Sequence, residues 1–257
     1  VASFNVLGDS HTGRGGNKPH FADARPRMSW TVQLLRGNEI SVVGLQEYEP
    51  SQHGMFTSMT GGSWAVYPGL QLGRKGVRNS MAWNTSVWDL VEAHTTTIPY
   101  FHGNPAIIPY VLLAHRETGR LAWFISVHNP ASTRGPAQHW RNQATAKEVA
   151  LMNQLQAPAG PNEPGTPVFL LGDFNEKAEA FCAVTSGAAA QAANGGTASP
   201  CSPPGNTGID WIFASTPGVT FANYVRMDGG LVNRASDHPL IFADATLEGE
   251  APTVDAD

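Results

Sequence analysis

Charge is scarce in this chain. Of 257 residues, 16 are Lys or Arg and 21 are Asp or Glu, 14% in all, for a formal net charge of -5. Such a surface exerts no general pull on nucleic acid or anionic membrane, although it leaves room for a local basic patch. Long apolar runs are also missing: none approaches the roughly 18 residues that a spanning helix needs. No signal peptide is seen, and the strand-like VASFNVLG at the start is what a mature, secreted domain presents after processing or trimming. Cysteine is limited to Cys182 and Cys201, which bracket the Ala-, Gly- and Ser-rich AVTSGAAAQAANGGTASP. A disulfide between them closes a loop of about 20 residues and is worth roughly 3 kcal/mol. Two unrelated buried thiols are the alternative. The disulfide is the favoured reading, and it leans towards an oxidising, extracellular location.

What the chain does have is apolar substance and turn formers: 41% hydrophobic residues, 27 Gly and 19 Pro. That suffices for one large domain, or at most two small ones, with many irregular connections. No internal repeat or interdomain linker divides it, so one domain is expected over 1–247. The acidic EGEAPTVDAD at 248–257 is expected to be a disordered tail.

Runs rich in Val, Ile, Phe and Trp predict strands at 2–7, 40–46, 64–67, 80–84, 87–97, 107–115, 121–128, 167–172, 209–214, 219–226 and 239–246. VLLAHRETGRLAWFISVHN reads as a hairpin with its tip at Glu117–Gly119, and MAWNTSVWDLVE as another turning through Asn84–Ser86. Helical patterning is rarer. It marks 22–37, which ends in glycine, and 135–156, where Trp140, Ala144, Leu151 and Leu155 would line a buried stripe. Shorter helices are expected at 51–60 and 177–186, and Gly/Pro/Asn-rich loops at 8–23, 157–166 and 187–208. The expected class is α/β: two layers of strands with helices on their outer faces.

Several core strands end abruptly in polar residues. FLLGDFNE runs into Asp173 and Asn175, with Gly172 read as a sharp turn. SFNVLG carries Asn5, VVGLQEYE reaches Gln46 and Glu47, and FISVHNP reaches His128 and Asn129. TGIDWIF holds Asp210, and RASDHPLIF holds Asp237 and His238. One such interruption is an ordinary turn, whereas six point to strand ends converging on one polar crevice. Carboxylates gathered there repel one another, and a divalent cation resolves the conflict. Carboxylate and carboxamide oxygens suit Mg²⁺, with Mn²⁺ or Ca²⁺ as alternatives. Zinc fits less well, since both cysteines lie elsewhere and HExxH is absent. Histidines beside such a metal fit proton transfer in phosphoester hydrolysis, although each alone reads equally well as a hydrogen-bonded core residue.

SFNVLG, VVGLQE, FISVHNP, LLGDFNE, GIDWIF and SDHPLIF together resemble the blocks of the endonuclease/exonuclease/phosphatase superfamily, in order and from residue 3 to residue 242. The resemblance implies a deoxyribonuclease I-like four-layer α/β sandwich of two packed mixed sheets flanked by helices. It implies metal-dependent phosphoester hydrolysis by direct in-line attack of water. By the same resemblance, Glu47 is the principal metal ligand with Asn5 beside it, and Asp237 joins the metal or water network. Asp173 and Asn175 would orient the water, Asp210 would fix His238, and His128 would contact the phosphate or protonate the leaving group.

The nuclease pattern is not complete. An arginine expected two residues past the metal-binding glutamate is Glu49 here, and two further nuclease positions fall near Val77 and Ile107. LGRKGVRNS supplies Arg74, Lys75, Arg78 and Asn79 as a phosphate clamp or an ordinary solvated loop, with Asn129 as a further phosphate contact. The loop 8–23, with His11, Arg14, Lys18 and His20, is expected to overhang the site. Tyr100, Phe101, Ile107, Ile108 and Tyr110 would make an apolar rim for a lipid, but core strands explain most of them. The substrate expected is therefore a phosphodiester, whether nucleic acid, a phospholipid or inositol-phosphate head group, or another small phosphodiester, handled by a monomer. A non-catalytic binding module with the same fold is the rival reading.

Overall fold

Two six-stranded sheets pack face to face, and the strand ends that the sequence marks as polar all reach the same end of them. The computed structural model describes residues 1–158 and 165–248. The tail expected at 248–257 lies outside the described residues except for Glu248, as does most of the loop expected at 157–166. Strand β1 (Ala2–Asn5) is followed by the one-turn helix α1 (Asp9–Thr12), α2 (Ala24–Gly37), β2 (Val42–Gln46), α3 (Pro50–Thr60), β3 (Trp64–Tyr67) and the short α4 (Gly73–Gly76). Four strands come next: β4 (Asn79–Asn84), β5 (Trp88–Pro99), β6 (Pro105–His115) and β7 (Leu121–His128). Then come α5 (Gln138–Leu155), β8 (Val168–Asp173), α6 (Ala178–Gly187) and β9 (Ala190–Ala192). The chain continues through β10 (Asp210–Ser215), β11 (Val219–Met227), α7 (Val232–Ala235) and β12 (Leu240–Leu247).

One sheet has the order β11-β12-β1-β2-β4-β3 and the other β5-β6-β7-β8-β10-β9. Both are mixed: β1–β2 and β7–β8 are parallel, while β2–β4 and β8–β10 are antiparallel. Three apolar clusters separate four layers. Phe4, Val43 and Leu45 pack with Met28, Leu35 and Phe56 of the helices on one side. Val168 and Leu170 pack with Met152, Phe181 and Val184 on the other. Phe169 and Leu171, alternate residues of the same strand, meet Val42, Met81 and Ile241 between the sheets. Strand β8 is thus buried on both faces, which is why it reads as an unbroken apolar run. At Gly44 a Cβ would lie 2.2 Å from Leu171 Cδ1, so glycine there lets the two sheets approach.

The structure departs from the sequence expectations in specific places. Strand β9 falls inside the stretch read as loop 187–208, because AQA carries no β-branched or aromatic residue to mark it. Helices α1, α4 and α7 are single turns, too short for a 3.6-residue period to show. On α5, Ala144 and Leu151 are buried as expected. Trp140 and Leu155 are only half-buried, and the inward face instead carries Arg141, Thr145 and Glu148. Gly172 makes no turn. It sits within β8, where φ is +154° and a Cβ would lie 2.0 Å from the Val127 carbonyl oxygen of the neighbouring strand. Cys182 and Cys201 form the disulfide, tying α6 to the loop that precedes β10.

Candidate active site

The strand-end polar residues are register partners in two rows. In one sheet Asn5 pairs with Gln46, and Gln46 with Asn79. In the other, His128 pairs with Asp173, and Asp173 with Asp210. Direct partners across a ladder project to the same side, so each row presents its side chains together. The rows meet at Asn5, whose Nδ2 donates to Glu47 Oε1 and to Asp173 Oδ2, both at 3.2 Å.

Asp173 is the centre of the arrangement. Its Oδ2 lies 3.4 Å from His128 Nε2 and 3.7 Å from His238 Nε2, and its Oδ1 accepts the Asn175 N–H at 2.9 Å. The carboxylate is nearly fully buried, and no Lys or Arg pairs with it among the described residues. His238 is fixed from behind: Nδ1 lies 3.0 and 3.2 Å from the two Asp210 oxygens, and its backbone N–H donates to Ser236 Oγ. Burial alone would depress the His238 pKa, but the Asp210 hydrogen bond and the charges of Asp173, Asp210 and Asp237 push it up to about 10. Burial raises the Asp210 carboxyl, against the pull of His238.

Glu47 stands just past β2 in left-handed backbone (φ 55°), as do Leu7 (φ 52°) and Asn175 (φ 53°) past β1 and β8. Such conformations in non-glycine residues cost about 1 kcal/mol or more each and persist where neighbours enforce them. Here Gly8 N–H donates to Glu47 Oε2, Leu7 N–H to Asn5 Oδ1, and Asn175 Nδ2 to the Asn129 carbonyl. Burial works to raise the Glu47 carboxyl. His128, the Asn5 and Gly8 hydrogen bonds and His11 outweigh it and hold it below the ordinary carboxylate range.

Asp173, Asp210 and His238 each offer a ligand atom, all within 4.8 Å of one another, which makes a candidate metal site. Glu47 joins this cluster through the Asn5 amide. The carboxylate oxygens of Asp173 and Asp210, with no arginine or lysine ion-paired to them among the described residues, are hard donors that suit a divalent cation. The structure therefore brings Asn5, Glu47, His128, Asp173, Asn175, Asp210 and His238 together.

Four other candidates are placed differently. Asp237 is exposed and its Oδ2 is held by Lys18 Nζ at 2.8 Å, facing the overhanging loop rather than the cluster. Asn129 is fully buried beneath the site, its amide donating to Thr145 Oγ1 and Glu148 Oε2, so it cannot meet substrate. Asn79 is also buried, tied to Ser126 by its amide and by the Ser126 hydroxyl, and Gln46 donates to that same hydroxyl. Arg78, its side chain still largely exposed, pairs with Glu49 at 3.0 Å. Of the other cations in LGRKGVRNS, Arg74 and Lys75 on α4 have no partner among the described residues.

Glu49 does structural work. It caps α3, and its carboxylate accepts Ser10 N–H and Ser10 Oγ, anchoring the loop 8–23. Arg27 gave no sign of importance in the sequence, where it is one arginine of a helix. It is fully buried, donating to the carbonyls of Val6, Leu7, Ala22 and Ala235 and to Thr12 Oγ1. It thus joins the exit of β1, which carries Asn5, to the segment that carries His238. Tyr100 packs edge-on against His128, ring centroids 5.6 Å apart, and Arg134 lies 5.0 Å over the Phe101 ring. These two aromatics border the site, while Ile108 is core and Ile107 and Tyr110 are half-buried in β6.

The sequence profile of the Endonuclease/Exonuclease/phosphatase family matches residues 2–238. No curated protein matches the chain in sequence. Among solved structures, the catalytic domain of human Nocturnin with bound sulfate superposes with a TM-score of 0.72 at 15% identity, over 96% of this chain and 94% of that one. An endonuclease/exonuclease/phosphatase from Bacteroides vulgatus gives 0.71 at 16% identity, over 96% and 98%. A mannosyl-6-phosphatase from Bacteroides thetaiotaomicron gives 0.68 at 17% identity, over 96% and 99%. At these identities the likeness establishes a shared fold.

Proposed function

The chain belongs to the endonuclease/exonuclease/phosphatase family, its Asp/Asp/His cluster supports a metal-dependent phosphoesterase, and on that premise we propose a Mg²⁺-dependent phosphodiesterase that cuts nucleic acid or a related phosphodiester. The observation that carries the reading is the convergence of Asn5, His128 and His238 on one oxygen of the buried Asp173 carboxylate. Phosphoryl transfer asks a protein chiefly for positioning and charge stabilisation, which a rigid convergence of this kind supplies.

In this reading Asp173, its Oδ1 oriented by the Asn175 N–H, takes the proton of the attacking water. Asp210 holds the Nδ1 side of His238, so that Nε2 faces the reacting phosphate and donates to its oxygens. His128, on the other flank of Asp173, serves the leaving group. A divalent cation held by Glu47 and Asn5, with Asp173 beside them, would offset the charge that builds on the phosphoryl oxygens. An extracellular setting fits the Cys182–Cys201 disulfide.

The test is turnover by purified protein with Mg²⁺, Mn²⁺ or EDTA. The substrates are plasmid, single-stranded DNA, RNA, sphingomyelin, phosphatidylinositol phosphates and bis-p-nitrophenyl phosphate, with Glu47→Ala and His238→Ala as controls. Metal-dependent cleavage lost in both variants is the expected result. Turnover only of monoesters or lipids would move the substrate class. Neither turnover nor metal binding would leave a binding module.

A further inference from the structure

His11 reaches Glu47 from the one-turn helix α1: its Nε2 lies 3.3 Å from Glu47 Oε2. The other ring nitrogen, Nδ1, is 2.7 Å from Asn17 Oδ1. A carboxamide oxygen only accepts, so Nδ1 carries the proton in this pair. Nε2 then turns either a second N–H or a bare lone pair towards the carboxylate. A lone pair there sets two acceptors face to face, so the pair needs a shared cation, either a proton or a metal ion.

The surroundings favour the metal ion. The ring is placed in advance: Lys18 N–H donates to the His11 carbonyl, and a Cβ at Gly16 would lie 2.2 Å from that carbonyl oxygen. His11 N–H donates to the Gly8 carbonyl while Gly8 N–H donates to Glu47 Oε2, so one residue fixes both partners. Imidazoles that ligate metals usually donate their second ring N–H to an oxygen, as Nδ1 does here to Asn17. Two ligands at right angles on an octahedral ion, each about 2.1 Å from it, stand about 3 Å apart, close to the separation seen. An imidazolium in this place would instead repel the cation that Glu47 and Asn5 suit. Glu47 is joined through the Asn5 amide to Asp173 Oδ2, so His11 borders the same site.

We propose that His11 is a nitrogen ligand of the divalent cation that Glu47 holds, and that it tilts the site from Mg²⁺ towards Mn²⁺ and Co²⁺. Mg²⁺ is served by oxygen donors, whereas an imidazole nitrogen favours first-row transition metals, Co²⁺ more than Mn²⁺. The inference rests on the metal-dependent phosphoesterase reading and concerns which cation serves it best.

Calorimetric titration of the metal-free full chain with Mg²⁺ and with Co²⁺ compares wild type with His11→Gln. Losing even the outer support of a metal-binding histidine costs about tenfold or more in affinity. Losing the ligand itself should cost Co²⁺ at least that much, and Mg²⁺ less than about threefold. Electron spin-echo modulation of the Mn²⁺-loaded wild type, which depends on no substitution, should show a directly bound imidazole nitrogen, and His11→Gln should remove that signal. A wild type without it, or a variant that keeps it undiminished through another histidine such as His238, overturns the inference. So does an unchanged Co²⁺ affinity, or equal weakening of both cations, which would leave His11 a charge partner of Glu47. Turnover is read separately. A His11-dependent cation site in a protein that cuts no phosphodiester keeps the ligand and removes the phosphodiesterase, whereas no cation binding at all removes both.

Discussion

His128 and Asp173 are direct partners in the parallel β7–β8 ladder, and their side chains meet again above it, with Nε2 3.4 Å from Oδ2. A single register thus sets both the backbone pairing and the side-chain contact. A one-residue slip of β8 would turn Asp173 to the opposite face. The Asp173→Asn substitution keeps shape and removes charge, so turnover should fall by about 100-fold or more. Because Asn5, the Asn175 N–H and both histidines lie against this carboxylate, Tm in the absence of metal should fall by a few degrees while the chain stays folded. Kinetics and circular dichroism at the assay temperature check this, and an unfolded variant would assign Asp173 to the fold instead.

Much of this site was legible because the chemistry sits where periodicity breaks. Asp173 after FLL, Glu47 after VVGL and His128 after FIS each interrupt an apolar strand, and strand ends in mixed sheets collect at one edge. What could not be read was the side on which the next polar residue points. Asn129 and Asn79 stand beside functional positions in the sequence but turn into buried networks with Glu148 and Ser126. Asp237 precedes His238 yet is drawn outward by Lys18, a partner more than 200 residues away in the chain. Long-range pairings of this kind leave no local trace. Arg27 is the extreme case, since its partners are mostly backbone carbonyls.

Arg27→Met should therefore be costly although it touches no catalytic group. The change leaves the carbonyls of Val6, Leu7 and Ala235 without their buried donor. Each such loss costs about 1–3 kcal/mol, so a total of several kcal/mol and a fall in Tm on the order of 10 °C are expected. Urea or thermal unfolding measures it. A change within ~0.5 kcal/mol, the ordinary range of a surface substitution, would mean that water replaces the guanidinium.

The Cys182–Cys201 disulfide joins positions 19 residues apart. Closing a loop of that length stabilises by about 3 kcal/mol in the chain-entropy account. The Cys182→Ser/Cys201→Ser variant should unfold at lower temperature and keep its turnover below that transition, since neither residue borders the polar rows. Loss of turnover at temperatures where circular dichroism shows a folded chain would tie the α6 segment to the site.

Cation binding should itself stabilise the fold. Any ion that binds the native site and not the unfolded chain raises stability with concentration. Adding Mg²⁺ or Mn²⁺ to EDTA-treated protein should raise Tm in wild type, and Glu47→Ala or Asp173→Asn should blunt that rise. Scanning calorimetry over a concentration series distinguishes this from a general salt effect, for which all three proteins would shift alike.

The sharpest pH prediction concerns Glu148, buried under the site. Burial, opposed by the Asn129 hydrogen bond and reinforced by the Glu176 charge, raises its pKa from 4.5 to about 8. Arg141, on the same helix, is paired with Glu176 and Gln138 and does not offset this. Between those two values the folded chain keeps a proton that the unfolded chain has released. Stability therefore falls as pH rises from about 4.5 towards 8 and levels off beyond, by an amount on the order of a few kcal/mol. Glu148 Oε1 and Asn129 Oδ1 are both buried without a hydrogen-bond partner among the described residues, and a protonated carboxyl supplies a donor there. Glutamine supplies one at every pH. Glu148→Gln should match wild type in Tm near pH 5 and exceed it near pH 8, with the slope between them flattened. Parallel Tm–pH curves would show that Glu148 is ionised in the folded state and that its neighbours, or water, meet its charge.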